Sequence, residues 1–153
     1  MTQEEAINIL KEDLLILSDA LKWLLRSFKI CKEIGIKEDF NEEEYDSLET
    51  LASRFARVSD ILLQKIFRSI DNVELEERGT LLDAINRMNK RGIIESIDVM
   101  REIRELRNQI VHEYVKTNLQ KVFVDILEYT PKLIQISEKV FEYCKKYLSN
   151  NNA

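Results

Sequence analysis

Along the first third of the chain, apolar residues recur at alternating steps of three and four: Ile7, Leu10, Leu14, Leu17, Leu21, Leu24, Phe28 and Cys31. A helix turns about 100° per residue, so these positions share one side. Thr2 followed by Glu5 fits a reciprocal N-terminal cap, and Gly35 is a natural stop. Leu15, Ile16, Trp23, Leu25 and Ile30 widen the seam, which predicts that this helix packs on several neighbours. A second helix is predicted to start after Asn41, with Glu44 three residues on. It carries Leu48, Leu51, Phe55, Val58, Leu62 and Ile66 on one face and ends near Asp71-Asn72. The acidic segment from Val73 to Gly79 has no clear period and reads as a loop. Thr80 then caps a short helix through Leu81, Ile85 and Met88, stopped at Gly92. Ser96 caps the next helix, which extends to about Val115, and a last helix starts near Thr117-Asn118. That last stretch holds the only proline, Pro131. The pattern Leu119, Val122, Ile126, Tyr129, Leu133, Ile136, Val140, Tyr143, Tyr147 stays in phase through it, which predicts one kinked helix rather than two. Nothing reads as a strand. The expected fold is an all-α antiparallel bundle of about five helices.

Composition agrees with that picture and narrows the function. The chain has 153 residues, enough for one core, with only three glycines and one proline. A net charge of −5 argues against a wholly basic nucleic-acid coat, but leaves room for a local basic cleft. Cys31 and Cys144 match no metal-ligand spacing and read as reduced, buried thiols. No run approaches a membrane span, and the acidic start is unlike a signal peptide. A soluble, cytoplasmic protein is the expectation. There is no glycine-rich phosphate loop, no second histidine for a zinc site and no Glu-x-x-His pairing, so neither metal nor cofactor is expected.

The only histidine, His112, stands in the string Arg107-Asn108-Gln109-Ile110-Val111-His112-Glu113-Tyr114. Imidazole is the side chain best suited to proton transfer near neutral pH. On a helix drawn through this string, Val99, Ile103, Leu106 and Ile110 form the core stripe. Asn108 and His112 lie one above the other, away from that stripe, beside Arg101 and Glu105. Arg107 and Tyr114 share a line at the core border, and Arg104 extends the cationic edge. Met100 and Val111 fall off the stripe, which suggests that a second protein surface covers them. From Arg87 to Arg107 six cations (Arg87, Lys90, Arg91, Arg101, Arg104, Arg107) face four acids. A solvated helix laced with ion pairs, or a plain surface imidazole, would explain the same residues. If the site is chemical, an arginine fork can hold a phosphate and the histidine can move a proton at a ribose or leaving oxygen. Arg107 and His112 diverge on one helix, so a two-fold pairing of copies would be needed to focus both.

Arg107-Asn108-x-x-x-His112-x-Tyr114 resembles the Arg-x4-His-x-Tyr signature of HEPN-domain proteins, in particular the HepT-type toxins. The order of elements is also similar, with the motif late on a penultimate helix. The resemblance implies a single HEPN-like domain over residues 1–148; the polar run from Ser149 to Ala153 reads by itself as a disordered tail. It implies a homodimer with motif helices facing each other, acting as a metal-independent endoribonuclease in a toxin–antitoxin pair of type VII-like design. Arg107 and His112 would be catalytic and Asn108 a polar helper. Arg101 and Arg104 are weaker RNA or phosphate contacts. A nucleotidyltransferase antitoxin (MntA-type) would silence the site by attaching AMP to Tyr114, and the substrate would be RNA, possibly a tRNA. Two further readings remain: a non-catalytic, nucleotide-binding partner of a nucleotidyltransferase, and a structural helical dimer in which the motif is packing.

Overall fold

The computed structural model describes residues 1–77, 79–112 and 119–148. Helix α1 spans Gln3–Ile34. The Thr2 hydroxyl accepts from the Glu5 N–H at 3.1 Å, and the Glu5 carboxylate accepts from the Thr2 N–H at 3.1 Å. Both orphan donors of the first turn are thereby satisfied. The same reciprocal cap forms at Asn41–Glu44 and at Thr80–Asp83, as the spacing predicts for the first of these. Gly35, at φ 73°, ends α1 in backbone space that disfavours side-chain-bearing residues.

The second rod is α2, Glu42–Asp60, continuing without a break into a π-helical segment, Ile61–Ile66, and α3, Phe67–Val73. It is the centre of the bundle and touches α1 on one side and both later long helices on the others. Leu48, Leu51, Phe55, Val58, Leu62 and Ile66 are all buried, as their periodicity predicts. A single stripe does not suffice for a central rod: Ile61, Leu62 and Leu63 are buried in succession. The widened turn, in which the Phe67 N–H reaches back to Leu62, lies at this crowded crossing. Periodicity gave no sign of it.

Helix α4 covers Leu81–Lys90, α5 Ile97–His112 and α6 Leu119–Leu148. Ser96 caps α5, its hydroxyl accepting from the Val99 N–H at 3.2 Å. Pro131 lies inside α6 on an exposed side, so the bundle interior does not carry the missing N–H. Just before it, the Thr130 hydroxyl donates to the Ile126 carbonyl at 2.5 Å. The helix runs through as one element. The described residues contain no strand, and the architecture is an all-α, HEPN-like bundle of five rods. Among them, no helix is long and apolar enough to cross a membrane.

Two expectations about packing need correction. Met100 is fully buried, so it belongs to this chain's own core and needs no second surface. It sits one residue past the half-buried Val99 and shares the stripe with Ile103. Conversely, α1 does pack on several neighbours, as expected, but not through the residues that widen its seam: Leu15 (73% exposed), Leu25 and Ile30 face solvent, and the Trp23 ring meets the Arg54 guanidinium of α2, 5.2 Å from its centroid. α1 is contacted by α2, the π segment, α3 and α6, all on the Leu10–Leu17–Leu24 side, leaving its opposite face to solvent. The expected ends of α5 near Val115, the start of α6 near Thr117-Asn118 and the tail from Ser149 lie outside the described residues.

Candidate active site

Helix α5 carries the motif because its apolar stripe fixes its rotation. Ile103, Leu106 and Ile110 are buried, which sets Arg107 at the border of the core and His112 in solvent. The wheel predicts both placements. What the wheel could not show is the partner of Arg107. Asp60, the last residue of α2, accepts from Arg107 Nε at 2.7 Å and from Nη2 at 3.0 Å. Arg107 Nη1 also donates to the Asn108 side-chain oxygen at 3.2 Å.

A guanidinium has five N–H groups in a rigid plane. Three are taken here, and the pairing with Asp60 uses the Nε side of the fork. One N–H on each Nη remains, enough to hold a phosphate oxygen pair. Asp60 therefore does two opposing things. It fixes the arginine plane, since a bidentate pair has little freedom. It also balances the arginine's charge. Asp60 lies 47 residues upstream, so no local motif contains it. The one hint in the sequence is a carboxylate opening the most apolar run of the second rod, Asp60-Ile61-Leu62-Leu63.

Asn108 is half-buried beside Arg107, on the route between Arg107 and the next face of the helix. Arg101 and Arg104 are exposed and line a groove of about 300 Å³ with Glu105, Asn108, Leu82 and Ile85. A second, wider groove of about 500 Å³ flanks the other side of α5. It is lined by Arg57, Asp60, Gln64, Lys65, Ile110 and Val111, among others. Val111 remains 50% exposed. His112 is exposed at the last described turn of α5, while Tyr114 lies outside the described residues. About 140° of helix rotation separates Arg107 from His112.

Two cations of the run that the sequence suggested, Arg87 and Arg91, are engaged away from this site. Arg87 donates to Asp71 at 2.8 Å, and Arg91 bridges Asp71 at 2.6 Å and Glu74 at 2.7 Å. Glu74 also accepts from the hydroxyls of Tyr143 at 2.6 Å and Tyr147 at 2.5 Å. Burial alone would raise the Glu74 pKa, but the two phenols and the Arg91 charge outweigh it and hold the carboxyl below its ordinary value. Burial and the same carboxylate push the Tyr143 hydroxyl up to about 12. This cluster ties the loop after α3 to α4 and α6. Part of the acidic segment that read as featureless loop is thus an anchored latch.

The ribonuclease HepT-like family matches the chain over residues 17–140, well over half its length. The chain belongs to that family. The matched span includes Asp60, Arg107, Asn108, His112 and Tyr114, so the two elements that meet at the site both fall within the HepT-like region. Searches among curated proteins and among solved structures give no match.

Proposed function

We propose that this HepT-like chain is a HEPN-type toxin, a metal-independent endoribonuclease whose site combines Arg107 and His112. The observation that carries the reading is the geometry at the end of α5. A partly exposed arginine, positioned by Asp60 and with two N–H groups beyond its three hydrogen bonds, stands about one and a half turns before an exposed imidazole. In the reaction, a ribose 2′-oxygen attacks the adjacent phosphorus and the bond from phosphorus to the leaving 5′-oxygen breaks. A base takes the 2′-hydroxyl proton, an acid delivers one to the leaving oxygen, and a cyclic phosphate remains. Arg107 stabilises the charge that grows on the phosphoryl oxygens. His112 serves as acid or base.

The divergence of the two side chains favours a composite site, in which one protomer's Arg107 faces its partner's motif helix across a two-fold axis. Asn108 acts as the polar helper that steadies Arg107. Tyr114, by family likeness, is the position for AMP attachment by a nucleotidyltransferase antitoxin. An adduct adds negative charge and bulk, which would oppose phosphate binding if the seven-residue spacing from Arg107 sets both on one helix line. A short unpaired segment, such as the end of a tRNA, is the substrate class that a small cleft on an acidic protein fits.

The test is expression of the parent chain and of His112→Ala, with cleavage of bulk RNA followed in vitro. The parent arrests growth and cleaves; the variant loses about 100- to 10,000-fold in rate and its toxicity. A folded His112→Ala that cleaves as fast as the parent would falsify the catalytic assignment. RNA or nucleotide binding without any cleavage by the parent favours the non-catalytic reading instead. Intact-mass measurement after co-expression with a neighbouring nucleotidyltransferase reads out the modification of Tyr114.

A further inference from the structure

The wider groove beside α5 has a charge pattern that its mostly apolar lining does not announce. Its cations are Arg57 and Lys65, both exposed, and neither has an ionic partner among the described residues. Its only acid is Asp60, and both oxygens of that carboxylate are occupied by Arg107. The groove is thus net positive on a chain of net charge −5. Its floor is aliphatic: Ala56, Ile61 and Ile110 are buried, and Val111 is half-exposed. The groove begins at Val111, next to His112, and passes the Asp60–Arg107 pair.

From this arrangement we infer that the groove between the second rod and the end of α5 is the track for single-stranded RNA flanking the scissile phosphate. Arg57 and Lys65 contact the backbone. The aliphatic floor takes a ribose or base face without reading its identity. The inference rests on the ribonuclease reading and adds to it the substrate form and the direction in which the strand lies. The physical need is specific. Asp60 cancels much of the field of Arg107, so the attraction for a polyanion must come from other cations nearby. Arg87 and Arg91 are held by Asp71 and Glu74, and Arg101 and Arg104 line the groove on the other side of α5, so on this side of the helix Arg57 and Lys65 supply it. Arg57 and Lys65 are eight residues apart, on the order of 12 Å of helix, and span the groove's length. They meet more than one phosphate.

The experiment compares the parent chain, Arg57→Ala/Lys65→Ala and, as a charge-matched control on the far face of α1, Lys22→Ala/Arg26→Ala. Cleavage of an unstructured RNA oligomer gives kcat and KM. Fluorescence anisotropy with the same oligomer across a salt series, on a His112→Ala background, gives affinity without turnover. The groove variant is expected to raise KM at least tenfold with kcat within about threefold of the parent. Its salt slope flattens by about 1.4, as loss of two single-strand phosphate contacts requires. The control behaves as the parent. If the parent cleaves and the groove variant keeps the parental KM and salt slope, the track is wrong while the ribonuclease reading stands. If the parent does not cleave, the ribonuclease reading falls, and an unchanged anisotropy slope in the groove variant sinks the track as well. A change in sedimentation of the groove variant, with RNA affinity unchanged, also overturns it and assigns the groove to a second copy. The residues are solvent-exposed, so an unchanged unfolding midpoint confirms that folding is not the cause.

Discussion

Arg107 with Asp60, and Arg91 with Asp71 and Glu74, are built from the same chemistry in two different settings. Around Arg91 the side chains are shielded, at 10% exposure for the arginine and 8% for Asp71, and two tyrosines complete the shell of Glu74. Each charge there has its counter-charge within the chain, although the buried Nε of Arg87 has no hydrogen-bond partner among the described residues. Around Arg107 the exposures are 25% and 39%, two of the five N–H groups lie beyond its three hydrogen bonds, and open grooves lie on both sides of the helix. A closed ionic cluster locks elements together. An open pair orients a cation and leaves it available. The same residue types thus serve architecture in one place and, on our reading, chemistry in the other.

The sharpest way to break the comparison is to remove each arginine in turn. Arg107→Ala is expected to lower the cleavage rate by about 100- to 1,000-fold, the typical loss for one charge-stabilising donor, with little change in unfolding midpoint. Arg91→Ala is expected to destabilise the fold by about 1.5–3 kcal/mol in denaturant titration, since it removes the charged hydrogen bonds to Asp71 and Glu74 while Arg87 and the two tyrosines still hold those carboxylates. If Arg107→Ala unfolds the chain and Arg91→Ala merely slows cleavage, the roles are reversed. Asp60→Asn keeps the shape but not the charge. We expect a loss of about 10- to 100-fold in kcat, because a misplaced guanidinium no longer meets the phosphoryl oxygens. Equal kcat in Asp60→Asn and parent would remove Asp60 from the positioning role.

The pH dependence of stability separates the two regions next. The folded Glu74 carboxyl titrates below its ordinary value of 4.5, so its contribution is present above that value and is lost as pH falls through the lower, folded one. Tyr143 titrates higher in the fold than its ordinary 10.0, at about 12, so its contribution is present below pH 10 and is lost as pH rises toward 12. Denaturant midpoints should therefore be flat near neutrality and fall at both extremes. In Glu74→Gln the acid limb becomes shallower; an identical limb in parent and variant would count against the latch. The smallest effect is expected from Tyr147→Phe, about 1 kcal/mol of stability at neutral pH and no change in cleavage. A stability equal to the parent's would show that Tyr143 alone satisfies Glu74.

Much of the fold can be read along the chain because helices are local. The steps of three and four in Leu10–Leu14–Leu17–Leu21–Leu24, the caps at Thr2, Asn41, Thr80 and Ser96, and the stop at Gly35 each depend on residues within a turn or two. The phase of α6 across Pro131 is local in the same sense. Half of the candidate site is local too: once the stripe Ile103–Leu106–Ile110 fixes the rotation of α5, the border position of Arg107 and the exposure of His112 follow.

Other features depend on which helices become neighbours. Met100 is buried, although its place on the wheel falls off the predicted stripe, and Leu15 is exposed although it is apolar. Periodicity gives the direction in which a side chain points, but not whether anything lies there. Asp60 meets Arg107 only because the second rod crosses the end of α5. Glu74 captures Arg91, Tyr143 and Tyr147 only because the loop after α3 is laid against α4 and α6. The sequence by itself therefore determined the helices, their inward faces and the motif that marks a HepT-like ribonuclease. The tertiary structure decided which arginine is held open and which are closed into a latch, because charge pairing across the bundle depends on distance in space, and separations such as the 47 residues between Asp60 and Arg107 carry no periodic signal.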